Sequence, residues 1–506
     1  MSVEILPTDN LYNQKLLKNV RPADWVNPTP DGRYNLVIIG GGSAGLVAAS
    51  GASSLGAKVA LVEKGFLGGD CLNYGCVPSK GIIRSAKAAH AIHDAARFGI
   101  NVPEGTTIDF NTAMNNARRA RADIAPHDSA QRYKDLGVDV FLGSAEFTGP
   151  DTVKVGDATL EFSKALISTG SHPAHIPIPG LAETGYLTNE TVFNLITQPK
   201  RLAVIGAGPI GSELSQSFQR LGTQVTLIDM APHILPREDA DAAEIVQQQL
   251  LEDGVQLLTG VRTNLISKNE KGAKVISFEI DGKEDSIEID EILLAVGRRP
   301  NVEGLGLEKA GVEFTKKGIE VNDLLQTTNP DIYAAGDVAV KYQFTHVAGH
   351  SGAIVVQNAL FPFPKRKFSD LIIPWVTYTE PEIAHVGMYE GDAAEAGVEI
   401  DTYTASMRSV DRAVTEGETS GFIKVHTAKG SGKILGATIV GTHAGELINE
   451  ITIAMKHKLS LGALASVIHP YPTEAEIINK VAIEYNKTRL TPRIKGIMSW
   501  WMKRNR

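Results

Sequence analysis

The chain has 506 residues, 43% of them hydrophobic and 21% charged, with 49 glycines. That is the composition of an ordinary soluble globular protein of about three or four domains. A net charge of -8 argues against a nucleic-acid partner, which would ask for a basic stripe rather than a mild acidic excess. The opening, MSVEILPTDNLYNQKLL, has neither a cationic cap nor an apolar run of signal-peptide length, and no later run is long enough to span a bilayer, so the expected location is the cytoplasm.

Residues 1–33 are polar and proline-bearing, and are expected to be a disordered arm or a strap over a partner subunit. Next comes YNLVIIGGGSAGLVAASGASSLGAKVALVEKG. Leu36 to Ile39 reads as a buried strand, followed by Gly40, Gly42 and Gly45 at GxGxxG spacing and then a small-residue helix. Glycines let such a turn tighten and let the backbone reach a pyrophosphate, whose charge rests on the helix N-terminus. A second apolar strand ends at Glu63, placed for a ribose hydroxyl. One fingerprint of this kind is imitated by many strand-to-helix turns.

The two cysteines of the chain, Cys71 and Cys76, follow within GGDCLNYGCVPSK. In a cytosolic chain a structural disulfide is disfavoured, and a close pair points to redox or metal chemistry. Two buried small hydrophobes are the plain alternative. Zinc lacks the second cysteine pair that a structural site needs, and no resident metal centre is expected.

Further on, RLAVIGAGPIGSELSQSFQRLGTQVTLIDMA repeats the first layout without a gap. Gly206, Gly208, Gly211, Gly222 and Asp229 stand at the offsets of Gly40, Gly42, Gly45, Gly56 and Glu63. Two dinucleotide sites imply two dinucleotides, most economically a flavin and a nicotinamide cofactor. From IIPWVTYTEPEIAHVG onward, alternating apolar strands and then helices read as a mixed α/β domain.

These ordered motifs resemble those of the two-dinucleotide flavoprotein disulfide reductases, which include dihydrolipoamide dehydrogenase, glutathione reductase and mercuric reductase. GGDCLNYGCVPSK resembles the family's redox-disulfide segment, with Gly69 inside it. ALISTGSHP, with Gly170, resembles the turn ending the first domain half. AVGRRPN, with Gly297, resembles the return strand, and TTNPDIYAAGDVA, with Gly336 and Asp337, the second flavin contact. The resemblance implies an α/β fold of two Rossmann-like domains, for FAD and for NAD, with a C-terminal α+β dimerisation domain. It implies an extension at 1–33, FAD binding at 34–185, nicotinamide binding at 186–300, a return to the FAD domain at 301–370, dimerisation at 371–492 and a basic tail at 493–506.

It further implies a homodimer in which NAD(P)H reduces FAD and FAD reduces a Cys71–Cys76 disulfide. Cys76 takes the place of the thiol under the flavin ring, and Cys71 that of the thiol meeting substrate. Gly75 is expected to let the backbone press close to the ring. Lys80 would pair with Glu213, contact the flavin and favour a thiolate. Asp337 would take the ribityl chain. Asp229, a carboxylate at the end of the second fingerprint's strand, favours NADH over NADPH.

Departures from the family pattern bear on the acceptor. Lipoamide and glutathione reductases carry a histidine before a Pro-Thr pair and a glutamate behind it. In HPYPTEAE the Pro472–Thr473 register puts Tyr471 at the histidine position and Glu476 at the glutamate position. A second register would pair His469 with Glu474. A phenol with a pKa of about 10 is a poor proton acceptor at neutral pH. Tyrosine here is a feature of mercuric reductase, but that enzyme's C-terminal cysteine pair is missing from RIKGIMSWWMKRNR. Met498 and Met502 share a helical face in that tail. Packing at a dimer seam is its expected use, and contact with an anionic membrane surface the less expected one. The acceptor is expected to be a metal ion or small disulfide. The alternatives are a diaphorase, quinone reductase or oxidase working directly from the flavin, and a low-turnover redox-sensing or complex-forming flavoprotein.

Overall fold

The apolar run at Leu36–Ile39 forms the middle of strand Tyr34–Ile39, which pairs in parallel with Val59–Glu63 and Ala158–Ile167. Val138–Leu142 and Ile332–Ala334 extend this parallel set on either side, and two antiparallel strands complete a seven-stranded sheet. Leu36, Val37 and Ile38 have no exposed surface, as befits a parallel strand covered on both faces. The computed structural model describes residues 9–280 and 282–506, and falls into two compact units. The first runs to Pro232 and resumes over Gly254–Leu371; the second joins His233–Asp253 to Ile372–Arg506.

Within the first unit the repeated fingerprint builds a second parallel sheet, ordered Gln256–Leu258, Gln224–Ile228, Arg201–Ile205, Glu291–Leu294. The two turns match in detail. Gly40 has φ +109° and Gly206 φ +108°, a region closed to residues with a Cβ. A Cβ on Gly45 would overlap the Gly40 carbonyl oxygen, and one on Gly211 the Gly206 carbonyl oxygen. Each helix therefore packs directly on its turn, as the spacing predicts.

Of the arm or strap expected at 1–33, residues 1–8 lie outside the described residues, while Leu11–Val20 forms a helix packed within the first unit. Asn10 caps it by accepting from the Tyr12 and Asn13 amides, and Leu16 and Val20 are fully buried. A few apolar residues on one helical face suffice to tie down a segment whose overall composition is polar.

In the second unit five antiparallel strands form one sheet, with Ala444–Lys456 and Glu476–Arg489 packed against it around a shared apolar core. Residues 233–253, read from sequence as part of the 186–300 domain, group with this unit. The reason is polar: Lys424 pairs with Asp239 at 3.0 Å and Asp241 at 2.6 Å, while Trp375 and Tyr389 both donate to Glu238.

Candidate redox-active site

Both strand-end carboxylates are fully engaged. Glu63 accepts from the Gly41 amide at 2.7 Å and the Gly65 amide at 2.5 Å, and Asp229 from Ala207 at 2.5 Å and Ala231 at 2.8 Å. Burial raises the Glu63 pKa, against the lowering effect of the two amides. Gly42 and Gly208 begin their helices without a side-chain cap, so the first-turn amides point outward with no side chain accepting from the cap position. Gly69 lies against the first turn, where a Cβ would come within 2.7 Å of the Gly42 Cα. Gly170 and Gly297 precede the paired segments Ser171–Pro173 and Arg298–Pro300. Gly336 and Asp337 open a short helix, and Asp337 accepts from Ser171 Oγ at 2.6 Å. Burial pushes the Asp337 carboxyl up, with the Ser171 hydrogen bond and Arg298 opposing.

Cys71 lies on the short helix Gly69–Asn73, and Cys76 is the first residue of helix Cys76–Asp94. Both are free thiols, Cys71 half-buried and Cys76 exposed. They differ sharply in acidity. The Cys76 pKa is lowered to about 6, first by the hydrogen bond with Cys71 and further by Thr345 and the charge of Lys80, against partial desolvation of the sulfur by the surrounding protein. Cys71 is pushed up by the same hydrogen bond, by burial and by the charge of Cys76. Thr345 Oγ1 lies 3.3 Å from Cys76 Sγ, and Lys80, one helical turn beyond Cys76, pairs with buried Glu213 at 2.9 Å. The helix N-terminus adds its own preference for an anion at Cys76.

Gly75 has a reason the sequence did not disclose: a Cβ there would meet Asp70 Oδ2 at 2.7 Å. Asp70 is itself held by Asn189 at 3.0 Å and Arg298 at 3.1 Å. Beneath the same loop, buried Arg121 donates to the Asn73 carbonyl at 2.8 Å and to Asn13 Oδ1 at 3.1 Å, tying the N-terminal helix to the backbone between the thiols. Burial lowers its pKa to about 10, with Arg118 adding to the effect. Sequence reasoning missed Asp70, Thr345, Asn189, Arg298, Arg121 and Asn13. Asp70 and Arg298 lie inside quoted motifs, so their charge was the available signal.

In the second unit Tyr471 is 72% exposed and its hydroxyl donates to Asp411 Oδ2 at 3.0 Å. That hydrogen bond, and then the Asp411 charge, raise the phenol pKa. Glu476 Oε2 is buried with no hydrogen-bond partner among the described residues. The alternative register, His469 with Glu474, does not form. His469, its side chain almost wholly enclosed, pairs with Glu450 at 3.2 Å, whereas Glu474 holds His443 at 2.8 Å. The second register fails because Glu474 is turned to the helix start at Ala444, away from its near neighbour in sequence. His443 keeps 57% of its side chain exposed, an imidazole oriented by a buried carboxylate that sequence reasoning did not single out.

Two matched dinucleotide turns, with a close thiol pair between them, mark a two-dinucleotide oxidoreductase. The chain belongs to the pyridine nucleotide-disulphide oxidoreductase family, whose model matches residues 34–352, with the family's dimerisation domain matching 373–482. Members are enzymes that use FAD and NAD(P)H, and the second match supports a homodimer. The chain is 38% identical to a mercuric reductase of Staphylococcus aureus, over 90% of this chain and 83% of that protein. It is 36% identical to a dihydrolipoyl dehydrogenase of Thermus scotoductus, over 90% and 98%. Among solved structures, the HOCl-induced flavoprotein disulfide reductase RclA from Escherichia coli, in its Cu(II) complex, matches with TM-score 0.77 and 28% identity, over 89% of this chain and 99% of that one. Among the described residues no helix is long and apolar enough to cross a membrane.

Proposed function

We propose that this enzyme passes electrons from NADH, by way of FAD and the Cys71–Cys76 pair, to a soft metal ion or a small disulfide. The observation that carries the reading is the polarised thiol pair, one thiol acidic and the other held protonated, at a helix N-terminus beside the Lys80–Glu213 ion pair. The balance is NADH + H⁺ + RSSR → NAD⁺ + 2 RSH for a disulfide, and NADH + M²⁺ → NAD⁺ + M⁰ + H⁺ for a metal ion reduced by two electrons.

The residues of the first turn fit FAD. Glu63 would orient a ribose through the carboxylate that the Gly41 and Gly65 amides hold in place. The uncapped helix start at Gly42 would receive the pyrophosphate, with Gly40, Gly45 and Gly69 keeping that approach clear. Asp337, with Gly170 and Gly336 setting the neighbouring turns, would hold the ribityl hydroxyls. When bound, FAD supplies the two-electron relay between nicotinamide and thiol. Thr345 and Lys80 stabilise the Cys76 thiolate, and Cys71 keeps its proton until an acceptor displaces it. A soft metal ion does so by ligation alone. A disulfide acceptor needs a separate proton carrier.

Tested by titration, the two-electron-reduced protein should gain its long-wavelength thiolate-to-flavin absorbance as pH rises, with a midpoint of about 6. The sign follows from the lowered pKa: the thiolate persists down to that pH and is lost below it. Lys80→Met should move the midpoint up by about one unit, since an opposite charge close by is worth about that much or more. A midpoint unchanged by Lys80→Met and Thr345→Val would remove those residues from the reading.

NADH should be preferred over NADPH. Asp229 accepts from the Ala207 and Ala231 amides at the end of its strand, and a carboxylate so placed repels a 2′-phosphate. Gly206, Gly208, Gly211 and Gly297 would frame the remainder of that nucleotide site. A higher kcat/KM with NADPH would refute the assignment.

A further inference from the structure

The C-terminal helix Pro492–Arg504 has no buried residue. It begins on its own signals, with Thr491 Oγ1 accepting from the Ile494 amide at 3.3 Å and proline in the first turn. Ile494, Ile497, Met498, Trp501 and Met502 recur at the i, i+3, i+4, i+7, i+8 positions of one helical face. Their exposure lies between 42% and 60%. The remaining positions are cationic, small or amide, apart from Trp500 on the edge of the stripe. From Leu490 to Arg506 there are five cationic and no acidic side chains, in a chain whose net charge is -8.

We propose that this helix lies in the headgroup layer of an anionic phospholipid bilayer and holds the enzyme on a membrane surface. Large apolar residues on one face, tryptophan at its border and cations on both flanks are the arrangement of an interfacial helix. A helix of 13 residues extends about 20 Å, too short to cross a bilayer. A seam with a second copy of the chain would also bury the stripe, but protein interfaces are depleted in lysine, and a surface helix in an acidic protein has no need to lack every carboxylate. Anionic lipid accounts for the stripe and the charge together. The acidic remainder of the chain is repelled by the same surface, which confines contact to the tail.

The test uses the full-length, FAD-loaded protein and co-sedimentation with phosphatidylcholine vesicles, with and without phosphatidylglycerol. Binding is expected to the anionic vesicles only, weakened by salt and accompanied by a blue shift of tryptophan emission. Lys503→Gln with Arg504→Gln should lower the partition about 30-fold. Ile497→Ser with Trp501→Ser should abolish binding while FAD content and melting temperature stay at wild-type values. Absence of binding, or equal binding to neutral vesicles, would overturn the proposal. So would a shift from dimer to monomer by the Ile497→Ser, Trp501→Ser variant in size-exclusion chromatography, because the stripe would then belong to a second copy of the chain.

Discussion

Cys76→Ser should abolish the long-wavelength absorbance of the reduced protein and lower dithiol-dependent turnover by about three orders of magnitude or more, with FAD still bound. FAD is expected to stay bound because the groups proposed to hold it, the glycine turn and Glu63, are held by backbone amides and not by Cys76. Cys71→Ser is expected to differ. It leaves the acidic Cys76 thiol in place, supported by Thr345 and Lys80, and so keeps a thiolate band without prior reduction. Cys71→Ala, which removes the hydrogen bond that is the largest cause of the lowering, should in addition move the midpoint of that band upward. Absorption spectra of wild type and both variants, before and after anaerobic NADH addition, decide the matter; identical spectra would sink the division of roles. Steady-state turnover of a quinone by the doubly substituted protein would mark a direct flavin route instead, and absence of turnover with every acceptor in a panel would favour a sensing role.

Lipoamide and oxidised glutathione should be poor substrates, by about two to four orders of magnitude relative to an enzyme with a positioned acid–base group. In the Pro472–Thr473 register read from the sequence, Tyr471 takes the histidine's place, and its hydrogen bond to Asp411 raises the phenol pKa, making it a weaker acid than free tyrosine. It can neither yield nor recover a proton readily at neutral pH. Tyr471→His should raise disulfide turnover by about tenfold or more and leave quinone turnover unchanged. The charge of Glu476 already acts on position 471, and its buried Oε2 has no partner among the described residues. Tyr471→Phe should weaken Hg(II) reduction if the phenol oxygen is a ligand and leave it intact if the ring only packs. Rapid lipoamide turnover by wild type would contradict the expectation and turn attention to His443. His443→Gln should then lower that turnover about a hundredfold, because Glu474 presents this imidazole to solvent, whereas His469 is enclosed against Glu450.

The dinucleotide turns were legible because their requirement is local. A glycine at φ near +109° and a second five residues on, with no room for a Cβ, are conditions set by a few consecutive residues, and they recur at Gly40 and Gly206 in the same pattern. The parallel strands declared themselves in the same way, as short unbroken apolar runs. The Lys80–Glu213 ion pair was legible only through family resemblance, since the two residues are 133 positions apart. Which carboxylate His469 meets was not legible at all: its partner is Glu450, 19 positions away, and not Glu474 of the alternative register.

By itself, then, the sequence determined two nucleotide-binding turns, a thiol pair between them and the residue types available for chemistry. Tertiary structure alone decided that Thr345 and Cys71 join Lys80 around the Cys76 sulfur, that Asp70 and Arg121 hold its loop, that Leu11–Val20 packs as a helix, and which carboxylate each of His443 and His469 meets. The reason is that a turn's backbone angles depend on its own few residues. Acidity depends on burial and on every nearby charge and hydrogen-bond donor, and folding brings these from places as distant in the chain as Thr345 is from Cys76.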